Sequence, residues 1–349
     1  MGNIGAGKII GIIFLVLIVA GFGALLLFDK LEQDAKSAEF NSSMAQEREE
    51  RRAKDKRIAE ILDVTKAVSE KEIPGIVVWG DEYAAGGKSS SVPDSLSKII
   101  NHDLFGDINT LLNSSASLSS YSMNINVVNN GIQGETLYTM AARIGAYPTL
   151  TAEEYKLPAD TSGVKMDFKT TGDQPVQFVS QNHADVGGVT LGDEKGTMSI
   201  KKNGQNGYYY YFSKNKPSEA KTVKAGTRLY TEGEEACRDD LLIMFFGRDD
   251  YDSVKELVSI QRAVAEHQNE NRRKYIAVSQ TEEGSELDKA MKKEFGEHYL
   301  RIDPYENTGK EYNNVAQAIY DKFVALGYAD EVKKSVDSAL SQIKSINAE

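Results

Sequence analysis

Acidic residues follow three of the apolar runs in this chain. Asp81 and Glu82 come after Ile76-Val77-Val78-Trp79 and Gly80, Asp249 and Asp250 after residues 241–246, and Asp303 and Glu306 after residues 299–302. Carboxylates brought together can share protons or hold a hard cation, and a pair can serve as acid and base on a glycosidic bond. Other chemistries are poorly served. The single cysteine, Cys237, excludes an intrachain disulfide and a Cys-rich zinc site, and reads as a small buried apolar residue. Gly2-Asn3-Ile4-Gly5-Ala6-Gly7-Lys8 imitates a phosphate-binding loop, but Ile9 stands where a magnesium-binding hydroxyl is needed and no strand precedes the glycines. His102, His183, His267 and His298 are scattered along the chain and read as structural or surface histidines.

The elements that would position these residues alternate. Residues 76–79, 124–128, 241–246, 275–279 and 299–302 read as short buried strands, with helices expected near 135–145 and 253–268 and after the fourth and fifth strands. Strand and helix alternating in this way imply a parallel sheet covered on both faces, with chemistry collecting at the carboxyl ends of its strands. Residues 146–237 break the rhythm with alternating segments and Gly, Asn and Asp turns, including 164–168, 197–200 and 208–212, which reads as an inserted small β-domain. The run Tyr208-Tyr209-Tyr210-Tyr211 could stack on a sugar. Alternate residues of a strand face opposite sides, so the plainer expectation is two tyrosines in the core and two on the surface.

Ahead of this part, residues 9–28 carry no charge, and about twenty residues at 1.5 Å rise span the roughly 30 Å hydrocarbon layer. The sequence therefore predicts an uncleaved transmembrane signal-anchor, since Asp29-Lys30-Leu31-Glu32 offers no small-residue cleavage site. Lys8 and the terminal amine precede it and Asp29, Glu32 and Asp34 outweigh Lys30 after it, placing the amino terminus in the cytoplasm. The cluster Arg48, Arg51, Arg52, Lys54, Lys56 and Arg57 argues the other way but is distant from the span and interleaved with acids. Residues 29–72 lack Pro and Gly and read as a solvated helical stalk, with an apolar stripe broken between Phe40 and Ile58. In its 349 residues the chain has 41 Lys and Arg against 52 Asp and Glu, a net charge of −11 that disfavours nucleic acid as a partner. The expected organisation is a tip and anchor over 1–28, a stalk over 29–72, an α/β domain over 73–145 and 238–329, the insertion over 146–237, and a C-terminal helix over 330–349.

Four of the strand-end loops carry a family resemblance. Gly80-Asp81-Glu82 resembles the first block of the SGNH (GDSL-type) hydrolases, where G-D-S presents the nucleophilic serine. Asn129-Asn130-Gly131-Ile132-Gln133-Gly134 is similar to the second block, whose last glycine donates its N–H to the oxyanion. Gly247-Arg248-Asp249-Asp250 resembles the G-x-N-D block, and Asp303-Pro304-Tyr305-Glu306 the D-x-x-H block. The resemblance spans residues 73–328 and implies a flavodoxin-like doubly wound parallel sheet, in a branch of the family from Gram-positive bacteria that carries an inserted β-segment. It implies carbohydrate O-acetyl ester hydrolysis, but three functional positions depart. Glu82 replaces the serine, Asp249 the oxyanion asparagine and Glu306 the histidine base; Gly134 and the orienting Asp303 remain.

Two carboxylates facing an oxyanion would oppose the reaction, where losing a single donor costs roughly 3–4 kcal/mol of barrier. The expectation is a pseudoenzyme with a pocket lined by Asp81, Glu82, Asp249, Asp250, Asp303 and Glu306. Three readings of it stay open: a decayed pocket; a ligand or cation site, with Glu82, Asp249 and Glu306 around Ca2+ or Mg2+; or an active hydrolase, either an O-acetyl esterase or a carboxylate-dependent glycosidase. The expected partners are the membrane and a cell-envelope glycan or membrane-complex protein, with the globular part outside the cell.

Overall fold

The computed structural model describes residues 6–70, 75–87, 90–114, 116–170, 187–203, 207–232, 234, 240–246, 253–268, 274–305 and 309–348. Within these stretches side chains are described from residue 17 onward, except at 67, 69, 70, 187, 202, 203, 207, 208, 246, 268, 309, 347 and 348. Cys237, His183, Arg248, Asp249, Asp250 and Glu306 lie outside the described residues.

Residues 1–64 and 343–349 form one compact unit and residues 65–342 a second. The first is dominated by helix α1 (Ala6–Glu70), 65 residues long, or roughly 100 Å at 1.5 Å per residue. The expected anchor and stalk are thus one uninterrupted helix. No proline or glycine interrupts residues 24–72, and pairs four residues apart such as Glu32 with Lys36 (2.8 Å) and Glu60 with Lys56 (3.6 Å) support its exposed surface. Among the described residues no helix is long and apolar enough to cross a membrane. The first eight residues of the expected span, 9–16, have no described side chains. The remainder leaves Leu25, Leu26, Leu27 and Phe28 exposed at 63–73%.

The second unit is mixed α/β. Its parallel sheet has five strands: β1 (Ile76–Gly80), β2 (Val127–Asn129), β12 (Leu241–Phe246), β13 (Tyr275–Gln280) and β14 (Tyr299–Ile302), in the spatial order β2-β1-β12-β13-β14. All four pairings are parallel, with Ile76 beside Leu241 and Val127, Ile243 beside Ile276, and Val278 beside Leu300. Burial on both faces follows the period of two. Val77, Trp79, Leu242, Met244 and Ala277 pack with helices α4 (Leu137–Ile144), α5 (Val254–Gln268) and α6 (Glu286–Phe295). The alternate residues, among them Ile76, Val78, Ile243 and Phe245, face the other side, where α3 (Val92–Asn113) and α7 (Gly309–Ala325) pack on each other. Helix α8 (Asp330–Ala348) ends the chain.

Strand β2 is shorter than the sequence predicts. Its expected first half is hydrogen-bonded instead to side chains of α3: Asn109 and Asn101 each give one amide donor and one acceptor to the backbones of Met123 and Ile125 at 2.7–3.1 Å. Two asparagine amides stand in for a neighbouring strand, so the backbones of Met123 and Ile125 are paired without forming a ladder.

Between α4 and β12 the chain builds an antiparallel sheet of seven strands. These are β3 (Thr149–Thr151), β5 (Val164–Met166), β6 (Phe168–Lys169), β7 (Gly187–Leu191), β8 (Glu194–Asn203), β9 (Gly207–Lys214) and β11 (Arg228–Thr231), in the order β5-β9-β8-β7-β11-β3-β6. The two outermost strands, β5 and β6, are separated in sequence only by Asp167, so the sheet curls until its edges meet there. Closure of this kind leaves no long unpaired edge. Met166, Phe168, Leu191, Met198, Phe212 and Leu229 fill the interior. A two-stranded ribbon of β4 (Tyr155–Leu157) and β10 (Lys221–Val223) adds to it, and the Tyr155 hydroxyl accepts the Asp167 N–H at 2.8 Å. Of the tyrosine run, Tyr210 is in this core, whereas Tyr209 and Tyr211 are half-buried on the opposite face. Tyr208 has no described side chain.

Asp103 of α3 ties the helices together at the other side of the molecule, accepting a hydrogen bond from the Tyr320 hydroxyl and pairing with Lys333 at 3.1 Å. The tyrosine hydroxyl, then the lysine, hold its carboxyl below the usual range. A carboxylate with a lowered folded pKa adds stability above its unfolded pKa and loses it as pH falls through the folded value. Because the pair is half-exposed, Asp103→Asn is expected to cost under about 1 kcal/mol at neutral pH, a cost that shrinks as pH falls below the usual carboxylate range and the folded-state carboxylate protonates, as read from urea melts over a series of pH values.

Candidate functional site

The loops after β1 and β2 meet at the carboxyl end of the sheet, and close contacts fix how. A Cβ on Gly80 would lie 1.9 Å from the Phe245 carbonyl oxygen, and one on Gly131 would lie 2.4 Å from the Ala85 nitrogen. Only glycine allows the loop after β2 to lie so near the short helix α2 (Glu82–Ala85). That loop prolongs the sheet ladder: Asn130 N–H donates to the Val78 carbonyl at 2.9 Å and Ile132 N–H to the Gly80 carbonyl at 3.0 Å. The Asn129 side chain donates to the Ala85 carbonyl at 3.2 Å and accepts the Gly131 N–H at 3.0 Å.

Asp81 is buried and caps α2, its Oδ1 accepting the Tyr83 N–H at 3.0 Å. Glu82 follows, half-buried, and its Oε2 accepts the Gly134 N–H at 3.1 Å. Gly134 has φ of +71°, a left-handed conformation that favours glycine. The carboxylate at the position expected for a nucleophile is therefore bound to the amide expected to receive an oxyanion. Its negative charge is answered locally, by a backbone donor and by its place in the first turn of α2.

A buried ion pair holds the Gly134 turn. Arg143 near the end of α4 donates Nε to Glu135 Oε1 (2.8 Å), Nη2 to Glu135 Oε2 (2.6 Å) and Nη2 to the Asn130 carbonyl (2.5 Å). Its guanidinium lies 4.3 Å from the centroid of the Trp79 ring. Both side chains are nearly inaccessible, at 8% and 1% exposure. Burial pushes the Glu135 carboxyl above its ordinary range while the arginine pulls it back. Thr136 caps α4 through the Thr139 N–H and Gly145 ends it with φ of +89°, so the helix that carries Arg143 has defined limits at both ends.

Tyr305, after β14, approaches the same loops. Its ring meets that of Tyr83 edge-on, with centroids 5.5 Å apart. Its buried hydroxyl has no hydrogen-bond partner among the described residues. Burial, reinforced by the Asp81 carboxylate, drives its phenol far above the usual range.

Asp303 goes elsewhere. Its carboxylate is 80% exposed and pairs with Arg301, whose guanidinium it pushes up. The structure thus brings together Asp81, Glu82 and Gly134 of the expected set. Asp249, Asp250 and Glu306 fall outside the described residues. Of Glu82, Asp249 and Glu306 only Glu82 is described, and among the described residues no group of three or more His, Cys, Asp or Glu side chains could hold a metal ion. The Glu135–Arg143 pair was not anticipated. Its partners stand eight residues apart across a helix cap, outside the spacing of three or four that marks pairs on one helix face, so no sequence pattern signals it.

No family model matches the chain, and no curated protein matches it.

The buried pair gives a stability prediction. Arg143→Met strands the Glu135 carboxylate and is expected to cost about 3–5 kcal/mol, whereas Arg143→Met with Glu135→Leu should recover much of that loss. Urea unfolding of the three proteins measures both values.

Proposed function

We propose that the chain is a membrane-anchored, extracytoplasmic module of SGNH-hydrolase-like fold that has lost the hydrolytic chemistry and works by binding or scaffolding at the bacterial cell envelope. The observation that carries this reading is the Glu82–Gly134 hydrogen bond. A serine hydrolase needs a neutral, activatable hydroxyl at the first strand end and a vacant backbone donor for the developing oxyanion. Here the side chain is a carboxylate and it occupies the donor. Hydrolysis through that donor would have to displace a charge-assisted hydrogen bond and then build a second negative charge beside the first.

The strand order supports the fold reading. Numbered along the chain within the sheet, the strands run second, first, third, fourth, fifth, which is the order of flavodoxin-like doubly wound sheets. Such sheets bind ligands outside the carboxyl ends of their strands, where Glu82 and Gly134 lie. Glu82 needs no divalent cation in this reading, because its charge already has a donor. For the anchor, the support is the uncharged run of residues 9–28 together with the exposed band at Leu25–Phe28 on α1. Apolar side chains in such density are stable against lipid, not water.

Two outcomes test the reading. The purified protein is expected to turn over aryl acetates no faster than Glu82→Ala and to resist labelling by serine-directed fluorophosphonates. Glu82→Ser alone should remain silent because position 306 supplies no histidine base. Turnover that Glu82→Ala abolishes would make the chain an active hydrolase instead. For topology, protease added to intact cells should degrade the chain beyond about residue 29, and protection of the α/β domain would place it inside.

A further inference from the structure

Three adjoining strands of the curled sheet present one face of distinctive composition. Met166 of β5, Tyr210 and Phe212 of β9 and Met198 of β8 point into the core. The pairing register then turns Lys165 outward on β5, Tyr209, Tyr211 and Ser213 on β9, and Lys195, Thr197, Ser199 and Lys201 on β8. No outward position on these three strands is acidic, in a chain whose acids exceed its bases by eleven.

The lysines flank the tyrosines from both sides. Lys165 is paired in register with Tyr211, yet its ammonium lies over the Tyr209 ring, 3.4 Å from the centroid. Lys201 is paired with Tyr209, yet lies over Tyr211 at 4.6 Å. Each cation thus reaches diagonally along β9, and the two rings lie between two positive charges. Both lysines are exposed and both tyrosines half-buried. Exposed cation–π contacts are worth only about 0.5–1 kcal/mol, so an arriving ligand displaces them readily. An ammonium resting on a ring also keeps N–H donors for an outside oxygen.

We propose that this face binds an acidic polysaccharide, with uronate carboxylates meeting Lys165 and Lys201 and sugar rings lying against Tyr209 and Tyr211. The tyrosines are two residues apart, roughly 7 Å along the strand, comparable with one sugar unit. A ligand carrying one carboxylate per ring matches two aromatic surfaces flanked by single cations. Nucleic acid fits less well: its dense phosphates require many cations, and the −11 net charge of the chain repels it. This site is separate from the loops around Glu82 and stands whether or not those loops are catalytically silent.

The test measures binding of the full chain to polygalacturonate, with neutral dextran and single-stranded oligothymidylate in parallel. Polygalacturonate should bind best, and less tightly as salt is raised. Lys165→Gln with Lys201→Gln, and separately Tyr209→Ala with Tyr211→Ala, should each weaken it by about tenfold or more. Thermal melting should be unchanged, because these side chains face away from the core. If the alanine pair lowers the melting temperature, Tyr209→Phe with Tyr211→Phe, which keeps the rings, should bind nearly normally, and the lysine pair decides the question. Absence of polygalacturonate binding, or binding that survives loss of the lysines, would overturn the proposal. Tighter, lysine-dependent binding of oligothymidylate would assign the face to nucleic acid.

Discussion

A buried guanidinium organises the end of this sheet. Arg143 cannot sit out of water without its donors and charge being met, and the groups that meet them are the Glu135 carboxylate, the Asn130 carbonyl and the face of Trp79. Those three contacts come from the last turn before α4, the loop after β2, and β1. Meeting one charge therefore fixes the path of residues 130–135 across the end of β1. The Gly134 N–H lies within that path, and its direction toward Glu82 follows from the same constraint.

The same helix end also joins the α/β sheet to the antiparallel insertion. The Arg143 carbonyl accepts the Thr231 hydroxyl at 2.7 Å, and Arg228 pairs with Glu234 at 2.7 Å beside Gly145, where any Cβ would fall 2.3 Å from the Glu234 carboxyl carbon. The insertion leaves and returns around α4, whose N-terminal side carries the Gly134 turn. A ligand on the outer face of β5, β8 and β9 would thus occupy the part of the molecule whose attachment runs through α4, a short covalent path from the loops around Glu82.

Much of the α/β architecture was legible from pattern. Val77, Trp79, Leu242 and Met244 belong to continuous apolar runs because both faces of a parallel sheet are covered, and four of the five strands begin where those runs begin. The tyrosine run was legible in its alternation, which the burial of Tyr210 and Phe212 against Tyr209 and Tyr211 bears out. What escaped depends on contacts distant in sequence. Asn101 and Asn109 shorten β2 from a helix 14–24 residues away, and their role has no local signature. The edges of the insertion meet through Asp167, which only the pairing order reveals. Within the site, Asp81 and Glu82 were readable because they end an apolar run, but the placement of the Glu82 carboxylate depends on a glycine 52 residues later. Asp303, expected beside the acidic pocket, pairs with Arg301 two residues earlier at the surface, a local partner that the strand-end pattern does not signal.

The central claim is that the carboxylate of Glu82 occupies the Gly134 amide. Site-resolved amide hydrogen exchange tests it most directly, comparing the native chain with Glu82→Ala. The account predicts that Gly134 is protected in the native chain and loses that protection in the variant. Ile132, whose N–H is held by the Gly80 carbonyl, should remain protected in both and so report an intact loop. Equal exchange at Gly134 in the two proteins, with Ile132 still protected, would contradict the account.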